Sequence, residues 1–245
     1  MPTIQANGIT LYYEEHGSGD PLLLIGGLGT DLTLFTWLTP RLARHHRVIA
    51  FDNRGAGRSD KPDVPYTIAM LASDAIGVLD ALAVGRADLL GVSMGGKIAL
   101  ELALSHPARV GRMVIVGTSA AARTGPLTIS APMRIAGVLE RLGLIRSRYP
   151  QPQYAFLRQR EASGRFDVTG RLGEIAVPTL IAHGRKDRSV PLERAEQLHA
   201  GIAGSRLVVF GGGHMFFVFA ERQALLDQIE GFLRPAADER GQEPA

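Results

Sequence analysis

The sequence predicts an α/β protein, a mostly parallel sheet covered by helices on both faces. Short apolar runs alternate with stretches whose apolar residues recur at helical spacing, the pattern of parallel strands joined by crossover helices. Leu22–Ile25 is the plainest such run, apolar at every position, as expected of a strand buried on both faces. The third observation is one junction. The apolar run Asp88–Val92 breaks without a linker into a helical stretch, Met94–Ser105, through Gly91-Val-Ser93-Met-Gly95. The chain's 245 residues, 45% hydrophobic and 21% charged, suffice for one domain with a full core.

Taken in order, Thr3–Ala6 and Ile9–Glu15 read as a hairpin about a tight Asn7-Gly8 turn. Leu22–Ile25 follows and ends in Gly26-Gly27-Leu28-Gly29-Thr30-Asp31. Leu34–Arg44 is expected to be helical and Arg47–Phe51 a second buried strand. A glycine-rich turn, Asp52-Asn-Arg54-Gly-Ala-Gly57-Arg-Ser59-Asp60, leads to the helical stretch Tyr66–Ala83, with Ile68, Leu71, Ala75, Val78, Leu79 and Leu82 on one face. Beyond the central junction, Met113–Val116, Val177–Ala182 and Arg206–Phe210 are expected strands, with helices at Leu192–Ala200 and Glu221–Leu233. Between Ala120 and Arg171 no strand is expected. Arg134–Ile145 and Gln153–Glu161 read there as short amphipathic helices among Pro126, Pro132, Pro150 and Pro152. An insertion at the strand ends of such a sheet sits over its ligand crevice. The organisation is therefore a core of residues 1–119 and 172–234, a helical lid at 120–171, and a charged flexible tail at 235–245.

Composition removes several functions. There is no cysteine, so no disulfide, zinc–thiolate site or thiol nucleophile. No apolar stretch approaches the ~20 residues of a membrane span, and the first residues lack a basic-then-apolar signal pattern, so a cytoplasmic protein is expected. The net charge is +3, unevenly placed: residues 121–170 hold eight arginines against three carboxylates, leaving the rest of the chain two negative. No basic run is interleaved with aromatics, so no nucleic-acid partner is expected.

At the junction, Ser93 sits where a strand turns directly into a helix. Such a corner strains the backbone of its central residue and leaves room only for hydrogen at Gly91 and Gly95. The gain is a hydroxyl held clear at the positive end of a helix, the setting of a nucleophile. A serine needs a base, and the base a carboxylate. Of seven histidines, His214 lies in the flexible Phe210-Gly-Gly-Gly-His214 loop after the last strand, from which a side chain can reach the sheet's carboxyl edge. His183 ends a strand and reads as packed there. Asp187 follows that same strand; it fits either a plain turn or the third member of a Ser–Asp–His order, and its position favours the second. Oxyanion donors are expected from the backbone N–H of Met94 and from that of Leu28, beside Gly27. The Asp52–Ser59 turn reads as structural, its charges held in local hydrogen bonds, since no Gly-Lys-Ser/Thr follows its glycines.

Gly91-Val-Ser-Met-Gly-Gly96, Phe51-Asp-Asn-Arg-Gly-Ala-Gly-Arg-Ser-Asp60, His183-Gly-Arg-Lys-Asp187 and Gly212-Gly-His214 together resemble the α/β-hydrolase family over essentially the whole chain. The resemblance implies Ser93 as nucleophile, Asp187 as acid and His214 as base. The family often has His-Gly where this chain has Gly26-Gly27. Gly27–Leu32, Tyr66-Thr-Ile, the Gly91 block and Gly117–Arg123 look most like 3-oxoadipate enol-lactonases, although the lid is shorter here.

The expected function is hydrolysis of small carboxylic esters or lactones through an acyl-enzyme on Ser93, with no metal and no organic cofactor. The expected partner is a small-molecule ester or lactone, with the protein a monomer or small homo-oligomer. The arginine-rich lid would suit an anionic substrate, but solvated helix faces with snorkelling stems explain it more simply. The same triad serves carbon–carbon bond hydrolases, whose members tend to carry Trp where this chain has Met215, cofactor-free perhydrolases, and slow-turnover ligand receptors.

Overall fold

The computed structural model describes residues 2–122, 149–218 and 221–234. Eight strands form one sheet in the order β1-β2-β4-β3-β5-β6-β7-β8. The hairpin β1 (Thr3–Ala6) and β2 (Ile9–His16) is antiparallel, with Asn7 and Gly8 both at positive φ as its two-residue turn requires. β3 (Asp20–Ile25), β4 (His46–Phe51), β5 (Ala87–Val92), β6 (Val110–Val116), β7 (Thr179–Gly184) and β8 (Arg206–Phe210) pair in parallel.

Each expected strand is present, with ends shifted by up to three residues. The expected helix Leu34–Arg44 is not. Two single turns replace it: a 3₁₀ turn at Leu32–Phe35 and α1 at Thr39–Leu42. Pro40 is the reason. It lacks an N–H, and its ring would collide with the carbonyl four residues back, so it is tolerated in the first turn of α1 but a helix cannot run into it from Leu34. Asp31 caps the first turn by accepting from Thr33 N at 2.9 Å.

The remaining α-helices among the described residues are α2 (Ile68–Ala81), α3 (Met94–Ser105), α4 (Gln153–Arg165), α5 (Leu192–Gly201) and α6 (Arg222–Leu233). Alternation along the strands divides the core. Leu23, Ile25, Ile49, Phe51 and Leu89 pack beneath α2, α3 and α5, whereas Leu22, Leu24, Val48, Ala50 and Leu90 pack beneath α1 and α6. With both faces covered, the strands' carboxyl ends become the edge available for a site.

Of the segment joining β6 to β7, the described residues 149–165 lie against the loops that follow β3 and β4 at that edge. Its helix α4 runs four residues beyond the expected Glu161, and its only extended pairing among the described residues is a single bridge, Ala121 with Asp167. The expected helix Arg134–Ile145 and the tail at 235–245 lie outside the described residues.

Candidate active site

Ser93 stands between β5 and α3 with φ 54° and ψ −112°, a conformation that L-residues avoid. The neighbouring packing enforces it. A Cβ on Gly95 would overlap the Ile25 carbonyl oxygen, and one on Gly91 would overlap the backbone of Gly95. The Ser93 N–H donates to Val116 O at 2.8 Å, and the Thr118 hydroxyl donates to Ser93 O at 2.7 Å. The corner is thus tied to β6 on one side and closed by α3 on the other.

The loops after β7 and β8 bring the other two residues to this corner. His214 Nε2 lies 3.2 Å from Ser93 Oγ, and His214 Nδ1 lies 2.6 Å from Asp187 Oδ2. The second carboxylate oxygen of Asp187 accepts from Ser189 N and Val190 N, both at 2.8 Å, which fixes the carboxylate plane. Gly117 lies against the pair at φ 58°, a backbone conformation that L side chains rarely adopt. The Asp187 side chain is fully buried and that of His214 nearly so. Ser93, Asp187 and His214, separated by up to 121 positions, therefore form one continuous hydrogen-bonded chain.

The two loops are also clamped to each other. Arg185 N donates to Phe210 O and Lys186 N to Gly212 O, at 2.7 and 2.8 Å. Glu221 holds the far side of the His214 loop, accepting from Gly211 N at 2.6 Å and Gly212 N at 2.8 Å. Phe216 stacks on Phe210 at 4.7 Å, so Phe216 and Phe217 belong to the core. Nothing in the sequence singled out Glu221, because its role is a contact across a loop rather than a motif.

His183 is packed, as expected, and fully buried. Its Nε2–H donates to Val190 O at 2.8 Å, and burial holds its pKa below the usual histidine range, so it stays neutral 3.7 Å from Asp187. The Asp52–Ser59 turn is likewise structural: Asp52 accepts from Leu32 N and Arg58 N, and Arg54 forms a buried two-pronged pair with Asp74.

Gly27 abuts the corner, its Cβ position 3.4 Å from Ser93 Cβ. Gly27–Thr30 is a tight turn closed by Thr30 N donating to Gly27 O at 3.3 Å. With Gly29 at φ 72° as third residue and Leu28 not at positive φ, it is a type II turn. The N–H groups of Leu28 and Met94 have no acceptor among the described residues.

No group of three or more histidine, aspartate or glutamate side chains that could hold a metal ion occurs among the described residues, and no helix there is long and apolar enough to cross a membrane. Tyr154 and Leu157 of α4 are exposed, whereas Phe156 turns inward onto Gly29. Of the eight arginines at 121–170, Arg158 and Arg165 pair with Asp63 or Glu161 and Arg160 is exposed; Arg123, Arg134, Arg141, Arg146 and Arg148 lie outside the described residues.

Comparison with known proteins agrees with this architecture. The 2-hydroxymuconate semialdehyde hydrolase of Pseudomonas sp. (strain CF600) is 34% identical, over 85% of this chain and 84% of its own. RutD of Azorhizobium caulinodans, assigned as a carbamate hydrolase, is 33% identical over 88% of this chain and 92% of its own. The crystal structure of the enol-lactonase from Burkholderia xenovorans LB400 superposes with a TM-score of 0.81 at 29% identity, covering 95% of this chain and 99% of that one. A family model described as alpha/beta hydrolase fold matches residues 20–143. The fold, the corner at Ser93 and these likenesses lead to one conclusion: the chain belongs to the α/β-hydrolase family and is an enzyme of the hydrolase class.

Proposed function

We propose that the protein is a serine hydrolase of small carboxylic esters or lactones. The observation that carries this reading is the unbroken hydrogen-bond chain from Ser93 Oγ through His214 to Asp187 at a strained strand–helix corner. Ser93 Oγ attacks the substrate carbonyl carbon while His214 Nε2 takes the hydroxyl proton. Asp187, accepting from His214 Nδ1–H, stabilises the imidazolium that forms. The carbonyl oxygen becomes an oxyanion held by the N–H groups of Leu28 and Met94. The imidazolium then protonates the departing alkoxide, leaving an acyl-enzyme. A water deprotonated by His214 releases the acid and restores Ser93. For a lactone, both product groups remain on one molecule. These side chains and water complete the chemistry. The β6–β7 segment, acting as the lid over this edge, would select the substrate.

A second reading, hydrolysis of a carbon–carbon bond, draws support from the 34% identical semialdehyde hydrolase. It differs in the leaving group, a carbon that must be protonated rather than an alkoxide.

The test is hydrolysis of p-nitrophenyl acetate by wild type and Ser93→Ala, with an enol-lactone, a carbamate and a ring-cleavage dienoate as parallel substrates. Wild-type turnover of the ester or lactone is expected, falling by about a thousandfold or more in Ser93→Ala. Turnover of the dienoate alone would establish the second reading. Full activity in Ser93→Ala would remove Ser93 from the mechanism.

A further inference from the structure

Gln159 lies in the middle of α4, within the segment joining β6 to β7, yet it is completely buried. A glutamine there must satisfy both halves of its amide. Its Nε2 donates to Arg54 O at 2.7 Å, and its Oε1 accepts from Gly29 N at 3.1 Å and from Gln151 Nε2 at 3.1 Å. Gln151 continues the tie by donating to Gly55 O at 2.7 Å. One side chain of that segment thus grips two loops of the core.

The grip on Gly29 is chemically specific. Type I and type II turns differ by a flip of the peptide between their second and third residues. Here that peptide is Leu28–Gly29, and its N–H is the one Gln159 holds. The Phe156 ring, 3.0 Å from the Cβ position of Gly29, closes the same turn from outside. The turn's first residue, Gly27, touches Ser93.

We propose that Gln159 is a positioning residue for oxyanion binding: by holding the Leu28–Gly29 peptide it locks the Gly27–Thr30 turn in its type II form, and with it the orientation of the adjoining Gly27–Leu28 peptide, whose N–H is the expected oxyanion donor. On this view the β6–β7 segment completes the catalytic constellation in addition to acting as its lid. The inference rests on the reading of Ser93 as nucleophile and Leu28 N–H as oxyanion donor.

The test uses the full-length protein and a fluorophosphonate probe. Ser93 Oγ bonds to phosphorus, fluoride departs, the proton passes through His214 to solvent, and the phosphoryl oxygen occupies the oxyanion position. Gln159→Met keeps the side chain's length and removes its hydrogen bonds. It is expected to slow labelling by about tenfold to a hundredfold, as displaced oxyanion donors do. With p-nitrophenyl acetate, kcat should fall similarly while KM stays within about twofold. Tyr154→Phe, also on α4, removes the hydrogen bond from the Tyr154 hydroxyl to Lys61 O in the loop before α2 and should label at the wild-type rate.

Wild-type labelling by Gln159→Met would overturn the proposal. Equal slowing in both variants would also overturn it, because general loosening of the segment would then be the cause. A wild-type protein that is not labelled at all would refute the reading of Ser93 and this inference with it. Should Gln159→Met fail to fold, Gly29→Ala decides, since alanine is strained at φ 72° and its Cβ crowds the Phe156 ring, so the turn must shift away from Gln159: slow labelling supports the proposal and a wild-type rate overturns it.

Discussion

Glu221 shows how much of the site depends on a residue that touches none of the reacting atoms. Its two carboxylate oxygens hold consecutive N–H groups, Gly211 and Gly212, in the loop that presents His214. In Glu221→Gln one acceptor oxygen becomes an NH₂ group facing an N–H, so one bond is lost and the other weakened. The expected loss is about 1.5–3 kcal/mol of stability, the scale of a hydrogen bond to a charged group. A misplaced His214 should lower kcat about tenfold with little change in KM. Urea unfolding and steady-state kinetics on one ester measure both, and unchanged kcat would confine Glu221 to folding. Ser93, Asp187 and His214 were legible in the sequence because each follows a recognisable strand, and parallel strands deliver their ends to one edge. Glu221 and Gln159 were not. Their work is contact between segments far apart in the chain, and no local pattern encodes it.

At the scale of elements, strands were easier to read than the turns between them. Runs such as Leu22–Ile25 declare themselves by composition, whereas apolar spacing across Leu34–Arg44 suggested one helix that Pro40 forbids. The Asp52–Ser59 turn was legible as structural but not in its partner. Arg54 reaches into α2, where Nε and Nη2 meet the two oxygens of Asp74 at 2.8 and 2.7 Å, with the paired side chains 6% and 1% exposed. Asp74 also accepts from Asn7 Nδ2 at 3.0 Å, joining the β1–β2 turn to the same helix. An arginine cannot shed its proton to escape burial. Asp74→Ala should therefore cost about 3–5 kcal/mol, most of it the stranded charge of Arg54. The double variant Arg54→Met, Asp74→Leu should recover most of that loss. Urea midpoints of the three proteins decide: a loss below about 1 kcal/mol in Asp74→Ala would mean the guanidinium reaches water.

Across the whole molecule, α4 is fastened to the core at its middle, through Gln159, and again near its C-terminal end, and the second fastening carries a charge. Lys97, on α3 one turn past Ser93 and 7% exposed, donates from Nζ to Ser163 O at 2.8 Å, near the C-terminal end of α4. Burial is the main cause that pulls its pKa from 10.5 down to about 8; Arg194 adds to the shift and Asp167 opposes it. A depressed lysine pKa means that the unfolded chain holds this proton to higher pH than the folded one. Between about pH 8 and 10.5 the unfolded state is therefore the more protonated, and stability from this group rises with pH. The rise is at most about 3 kcal/mol, the full span of the shift. Other lysines and tyrosines titrate in the same range, so the signal is a difference. The unfolding free energy of wild type minus that of Lys97→Met should increase from pH 7.5 to 10.5 by about 2–3 kcal/mol. A difference that stays flat would show that water reaches Lys97 and that the ammonium is not buried between α3 and α4. A difference that rises would mean that joining α4 to α3 requires burying a charge, a cost that eases as the medium becomes alkaline.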